Sequence, residues 1–392
     1  MKLFVAIIFA GIIFGIQLWL YRRFWNKKLD VSISFDREIL YEGEENELRE
    51  VIVNRKYIPL PILQVKFSIT RTFVFEKQEN TKVTDRYYRN EFFTVMPLQK
   101  ITRTYPFICS HRGYFHMENM DLICRSFFMD DKMIDTRVHE ASVCVLPAHI
   151  SHNEVPTNVN NLLGDIEKNL HINDDPFTFA GIRDYQPFDS IHSINWKTTA
   201  KHGSLQVNTF NTTFSKKAVI LLNVEANSMQ HAHESVEWAI KIASHLAARY
   251  ITDHIPTALY TNGVDVSVER DHSERVGRRK PQDMSPAQMN CPAIDAGADM
   301  AHIRTIEVAL ARLNTDLAPA SFVRLMDERI TDSKETVEYI IVSNYRKKDV
   351  TDRYLYLKTA GHSVHFIIPE YKLTGIEEEF DCADYTAWMI EK

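Results

Sequence analysis

Residues 3–21, LFVAIIFAGIIFGIQLWLY, form an apolar run in which Gln17 is the one strongly polar side chain. At ~1.5 Å per residue, a helix of this length approaches the ~30 Å hydrocarbon core of a bilayer. A chain that starts this way must insert the segment or lose it by cleavage. A cleaved signal peptide calls for a small-x-small site after the apolar stretch, whereas RRFWNKK follows here. Arg22, Arg23, Lys27 and Lys28 lie behind the run and Lys2 ahead of it, so the positive-inside rule predicts a single-pass anchor with the bulk of the chain in the cytoplasm. Trp19, Tyr21 and Trp25 are then expected at the lipid–water interface, and deletion of residues 1–28 is expected to release a soluble body. Five scattered cysteines without a C-x-x-C pair suit the same reducing compartment.

Behind the basic flank, residues 29–150 read as an antiparallel β-sandwich. Residues 31–35 (VSISF) and 65–69 (VKFSI) alternate apolar and polar, the mark of strands with one buried face. Short β-rich runs follow at 50–54, 92–96, 105–109, 121–124 and 142–146, separated by turn signals such as Glu42-Gly43 and Pro59. Residues 151–210 read as a linker plus a dense polar-aromatic segment, GIRDYQPFDSIHSINWKTTAKHG at 181–203. Its second half is expected to be one helix, capped by Asp189 or Ser190 and stopped at Gly203. Residues 211–392 alternate strand and helix. The runs at 218–224, 257–261, 337–343 and 363–369 are continuous enough for a parallel sheet buried on both faces, and helical stripes lie between them. The fold expected is therefore an α+β multidomain chain: a transmembrane helix, a β-sandwich and a doubly wound α/β domain.

Chemistry was sought at the carboxyl ends of those strands, where open α/β sheets hold ligands. The chain has neither G-x-G-x-x-G nor G-x-x-x-x-G-K-[ST], so no bound nucleotide or other cofactor is expected. It also lacks G-x-S-x-G and H-E-x-x-H, and no catalytic residue is assigned. A net charge of −6 argues against a nucleic-acid partner held by phosphate contacts. His231, His233, His245 and His254 show no metal-ligand spacing, and the basic run at 269–280 reads as an exposed loop. The loop LLNVEANSM (221–229) sits where von Willebrand A-type domains carry D-x-S-x-S. Asn223, Glu225 and Asn227 stand in its key positions, and Asn344 where a later aspartate is expected. Amides do not supply the charge that offsets dehydration of a hard cation, so a metal-free polar rim is expected.

Residues 179–208 closely resemble the signature of a bacterial family known as domain of unknown function fifty-eight. Gly181, Arg183, Tyr185, Pro187, Asp189, Ile194, Trp196, Lys197, Ala200, Gly203 and Leu205 match its pattern, while Phe188, His192 and Lys201 depart from it. The Arg112-Gly113-Tyr114 turn and the run from Val143 to Pro147 agree with it too. The resemblance implies membrane-anchored, von Willebrand A-like proteins with a MoxR-type AAA+ ATPase as partner. It implies no reaction. Relatives commonly have two membrane spans, and this chain shows one.

Two readings of the segment follow. In the first, Arg183, Asp189 and Lys197 form a satisfied polar cluster and Tyr185 and Trp196 pack the junction of sandwich and α/β domain, with Asn195 and Lys201 as further candidate residues of the segment. In the second, the same side chains dock a partner. The first is preferred here, because buried polar clusters fix geometry in many proteins without touching a ligand. The function expected is a non-enzymatic, membrane-tethered adaptor. The alternative is a divalent-metal-dependent hydrolase or adhesion protein using the rim.

Overall fold

The computed structural model describes residues 2–70, 72–75, 81–83, 86–125, 132–171, 174–187, 189–212, 217–225, 232–266, 286–287, 289–330, 337–345, 347–371 and 385–390. Asn227, His231, Phe188, Cys382 and the basic run at 269–280 lie outside them. The chain divides into two compact units, Met1–Ala148 and His149–Lys392.

The first unit opens with helix α1 (Lys2–Phe24), of which Ile7–Phe24 is long and apolar enough to cross a membrane. Ile7, Ile8, Phe9, Ile12, Ile13 and Ile16 are all more than half exposed, as expected of a helix whose apolar surface has no protein neighbour. Among the described residues ten strands follow: β1 (Leu29–Phe35), β2 (Ile39–Tyr41), β3 (Glu45–Asn54), β4 (Leu60–Thr70), β5 (Phe73–Phe75), β6 (Thr81–Val83), β7 (Arg86–Val95), β8 (Lys100–Cys109), β9 (Gly113–Arg125) and β10 (Lys132–Leu146). They form two sheets, β1-β3-β8-β5 and β2-β10-β9-β4-β7-β6, antiparallel throughout except that β2 runs parallel to β10. β1 shows strict buried/exposed alternation, so Val31, Ile33 and Phe35 enter the core with Leu48, Ile52, Val65, Phe67, Phe107 and Leu122. Phe35, Phe73 and Phe107 pack ring to ring there, with centroids 4.7–5.9 Å apart.

That core also takes in Tyr21 and Trp25, each 5% exposed. Both were expected at the lipid–water interface, and the structure corrects this. The base of α1 packs into the sandwich core, where two large aromatic rings are removed from solvent. Tyr21 Oη donates to Pro59 O at 2.8 Å, and the Arg137 guanidinium donates to Asn26 O (3.1 Å) and Leu29 O (2.6 Å), tying the connection between α1 and β1 to β10.

In the second unit, α2 (Thr157–His171) occupies the stretch read as linker. Val159, Leu163, Ile166 and Leu170 fall on one helical face and are fully or almost fully buried, so this segment is core, not connection. β11 (Asp174–Asp184) pairs antiparallel with β12 (Gln206–Thr212), with α3 (Trp196–His202) between them. β13 (Lys217–Leu222), α4 (Ala232–Thr252), β14 (Thr257–Thr261), β15 (Val264–Asp265), β16 (Ala293–Gly297), α5 (Met300–Ala311), β17 (Leu313–Asn314), α6 (Phe322–Arg329), β18 (Val337–Val342), α7 (Lys348–Thr359), β19 (Ser363–Tyr371) and β20 (Tyr385–Ile390) complete the described elements. The main sheet has the order β16-β14-β13-β18-β19-β20, and β16 alone runs antiparallel to its neighbour. Alternate strand residues feed opposite faces. Ile220, Leu222, Ile340 and Ile367 pack with α2, α4 and α5, whereas Val219, Leu221, Ile341 and Phe366 pack with α6 and α7.

Candidate functional site

At the carboxyl edge of this sheet, β13, β14 and β18 end in Asn223, Asn262 and Ser343, all with 0% exposure. The amides tie the strand ends together. Asn223 Nδ2 donates to Ser343 Oγ (3.0 Å), and its Oδ1 accepts from Glu225 N and Asn262 Nδ2, both at 2.9 Å. Asn262 Oδ1 accepts from Val224 N (2.9 Å), while its Nδ2 reaches Ala320 O (3.0 Å) and, more loosely, Glu225 Oε1 (3.4 Å). Ser343 Oγ accepts from Tyr345 N at 3.0 Å. The Asn223–Ser343 bond spans β13 and β18, which lie on the side of β13 away from β14; this is the switch point where doubly wound sheets open a crevice. Asn262 and Ser343 are visible in the sequence as residues that follow apolar runs, but no motif there marks them as partners of Asn223. Three strands ending in a short polar residue was the available signal.

Glu225 stands at the exit of this network. Its Oε1 accepts from Phe322 N (3.1 Å) in the first turn of α6, a position where a carboxylate satisfies an open N–H. Burial pushes its carboxyl up to about 6, only partly opposed by the bond from Phe322. Asp349 and Lys347 act on it with opposite sign, and burial together with the charge of Glu225 pushes Tyr345 up to about 12. Asn344 lies beside them, 8% exposed. Among the described residues, no three His, Cys, Asp or Glu side chains converge as metal ligands. Cys291, 3.3 Å from Asn262 O, is held up to about 12 by burial and stays a thiol at neutral pH.

The shift at Glu225 has a consequence for stability. With a native pKa of about 6 against 4.5 when unfolded, the native state holds more protons between those values, so stability falls as pH rises through that window. Glu225→Gln keeps the acceptor for Phe322 and removes the charge. It is expected to raise stability at pH 7 by about 1–2 kcal/mol and to flatten the slope between pH 4.5 and 6. Urea unfolding of both proteins across that range measures this, and equal slopes would refute it.

The signature segment is built differently from expectation. In place of one helix over 189–203, a single 3-10 turn at Ile191–Ser193 is capped by Ser190. Ile194 then bridges to Val207, and α3 starts after Asn195. Asn195 is the reason. Its Oδ1 caps Thr198 N (3.0 Å) while its Nδ2 donates to Asn208 Oδ1 (2.8 Å), so the chain is pinned to β12 and a new helix must begin. Gly203, at φ 74°, ends α3 in the left-handed region. Arg183 grips Asp189 with two bonds of 2.6 Å. The Arg183 guanidinium and the Gln186 N–H (2.8 Å) together hold the Asp189 carboxyl below the usual carboxylate range. Tyr185 is half-buried, and its N–H donates to Leu205 O at 2.9 Å.

Trp196, expected to be buried, is 64% exposed, because the Asn195 cap turns the first residue of α3 outward. Ile191 (68%) and Leu205 (42%) are exposed as well, as are Lys197 and Lys201. Arg183, Asp189 and Asn195 thus form the brace, and Trp196, Lys197 and Lys201 the surface it carries. Sequence reasoning missed Ile191 and Leu205 as exposed apolar members.

No family model matches the chain, and no curated protein does. Among solved structures, a CARDB domain from Pyrococcus furiosus in complex with di-metal ions is 12% identical, over 31% of this chain and 97% of that one, with a TM-score of 0.22. Domains of the major pilin SpaD from Corynebacterium diphtheriae are 8% identical over 29% of this chain and 51% of that one (TM-score 0.22). A non-cellulosomal cohesin from Archaeoglobus fulgidus is 8% identical over 32% and 94% (TM-score 0.21). Scores this low identify no relative of the chain.

Proposed function

We propose that this protein is a non-enzymatic, membrane-tethered adaptor related to the domain-of-unknown-function-fifty-eight proteins. It would be held by α1 with its body in the cytoplasm, and its second unit would be a von Willebrand A-like domain. A parallel sheet between two helical layers, with polar loops at its carboxyl edge, supports that last assignment. The partner proposed is a MoxR-type AAA+ ATPase, met by the surface of residues 182–205. The observation that carries the reading is the exposure of Trp196 between Ile191, Lys197 and Lys201 on a segment whose backbone is braced from below. Tryptophan is among the residues enriched at interface hot spots, and a pre-formed scaffold lowers the ordering cost of binding. At the rim, Asn223 Oδ1 and Glu225 Oε1 are already engaged by N–H donors, which favours this reading over a metal-dependent one.

Trp196→Ala with Lys197→Glu is expected to weaken binding of the full chain to a purified MoxR-type ATPase at least tenfold while leaving the melting temperature within about 1 °C, as for exposed positions. Unchanged affinity would sink the docking reading. A large fall in melting temperature would return Trp196 to a structural role.

A further inference from the structure

We propose that the end of the β-sandwich from which α1 emerges is a second membrane-contacting surface, seated on an anionic bilayer through Tyr57, Met96 and Leu98 and the basic side chains around them. This rests on the reading of α1 as a membrane span.

The first argument is distance. The apolar run from Leu3 to Leu20, just before Tyr21, extends ~27 Å as a helix, close to the thickness of a hydrocarbon core. Tyr21 is also the first residue of α1 built into the sandwich core. The sandwich therefore begins where the bilayer ends. The second argument is rigidity. Lys28 O accepts from Arg55 N (2.9 Å), and Pro59 O accepts from Tyr21 Oη (2.8 Å). Fully buried Asn54 donates Nδ2 to both Ile58 O and Met96 O at 3.0 Å, and its N–H reaches Gln99 O at 2.9 Å. Leu98 N closes the set on Lys56 O at 3.2 Å. The loops at 55–59 and 96–99 are thus fixed around the root of α1.

The third argument is what these loops present. Tyr57 is 82% exposed, Met96 55% and Leu98 59%. Leu98 sits at φ 55°, a conformation costly for a branched apolar residue and one that holds its side chain outside the core. Arg22, Arg23, Lys27, Lys28, Arg55 and Lys100 are exposed at the same end, where the carboxylate of Asp30 pairs with Arg55 at 3.0 Å. Apolar tips ringed by cations have the composition of a surface that enters a headgroup layer. Each basic side chain near an anionic leaflet adds about fivefold to partitioning.

The test places a nitroxide on the full chain at Tyr57→Cys, Leu98→Cys, Val74→Cys or Ile13→Cys, one at a time. The proteins are set in nanodiscs of phosphatidylcholine with or without phosphatidylglycerol, and label-treated wild type supplies the background. Val74 pairs near the far end of β8, about 25 Å from Lys100 at ~3.3 Å per residue. In anionic discs the labels at 57 and 98 are expected to favour oxygen over a water-soluble nickel relaxant several-fold more than the label at 74, with a smaller excess in neutral discs. Labels at 57 and 98 as aqueous as 74 overturn the proposal, and equal immersion in both lipids overturns the part played by charge. The label at 13 separates the two readings. In hydrocarbon, it leaves the span standing whatever the loops do; in water, it overturns both.

Discussion

Trp25→Ala is expected to destabilise the N-terminal unit by about 3–5 kcal/mol, the cost of truncating a fully packed aromatic ring. Trp25 is 5% exposed and shares one core with Leu29, Leu60 and Val95. Deletions give the same result in another form. A protein starting at residue 20 keeps Tyr21, Trp25 and both carbonyls gripped by Arg137, whereas one starting at residue 29 loses Tyr21, Trp25 and the Asn26 carbonyl. The sequence alone predicted that deleting residues 1–28 releases a soluble body. The structure instead predicts that the protein starting at 29 unfolds at markedly lower denaturant, because an apolar slot is left open. Guanidinium unfolding of the two deletions, with Trp25→Ala in the full chain, decides this. Coincident midpoints would show that the base of α1 contributes nothing to the core.

Asn262→Ala should be as severe in the second unit, again about 3–5 kcal/mol. Its side chain satisfies Val224 N–H, Ala320 O and Asn223 Oδ1 with no exposure to water. Each buried polar group left unpaired costs about 1–3 kcal/mol, and no solvent can replace the lost partner. Asn262→Asp is expected to do little better. It keeps the acceptor for Val224 but aims a carboxylate oxygen at the Ala320 carbonyl and at Glu225, where the amide had donated. A loss under 1 kcal/mol in urea unfolding would mean that the strand ends are not locked by this network.

The signals legible in the sequence were those of period and length. The alternation at 31–35 appears as β1 with every second side chain buried, and the continuous apolar run at 218–224 as β13, buried nearly throughout. An eighteen-residue apolar stretch within α1 needs no tertiary context to be recognised. α2 was legible too, in the spacing of Val159, Leu163, Ile166 and Leu170, but its Asn-rich outer face made it look like a linker.

Direction of a side chain was not legible where polar and aromatic residues alternate without period. Trp196 faces solvent because Asn195 bonds across to Asn208, thirteen residues away, and breaks what local propensity would continue as one helix. Tyr21 and Trp25 pack into protein, and do not face headgroups, because the sandwich core accepts them beside strands that start at residues 29 and 60. Asn223 bonds to Ser343 across 120 residues of chain. The sequence by itself determined the apolar helix at the start and the strands with a clear apolar period, such as β1, β13 and β18, since each follows from neighbours within a few positions. Only the tertiary structure decided where the polar side chains spend their hydrogen bonds, because a donor in one loop finds its acceptor in another only once the sheet has brought the strand ends together.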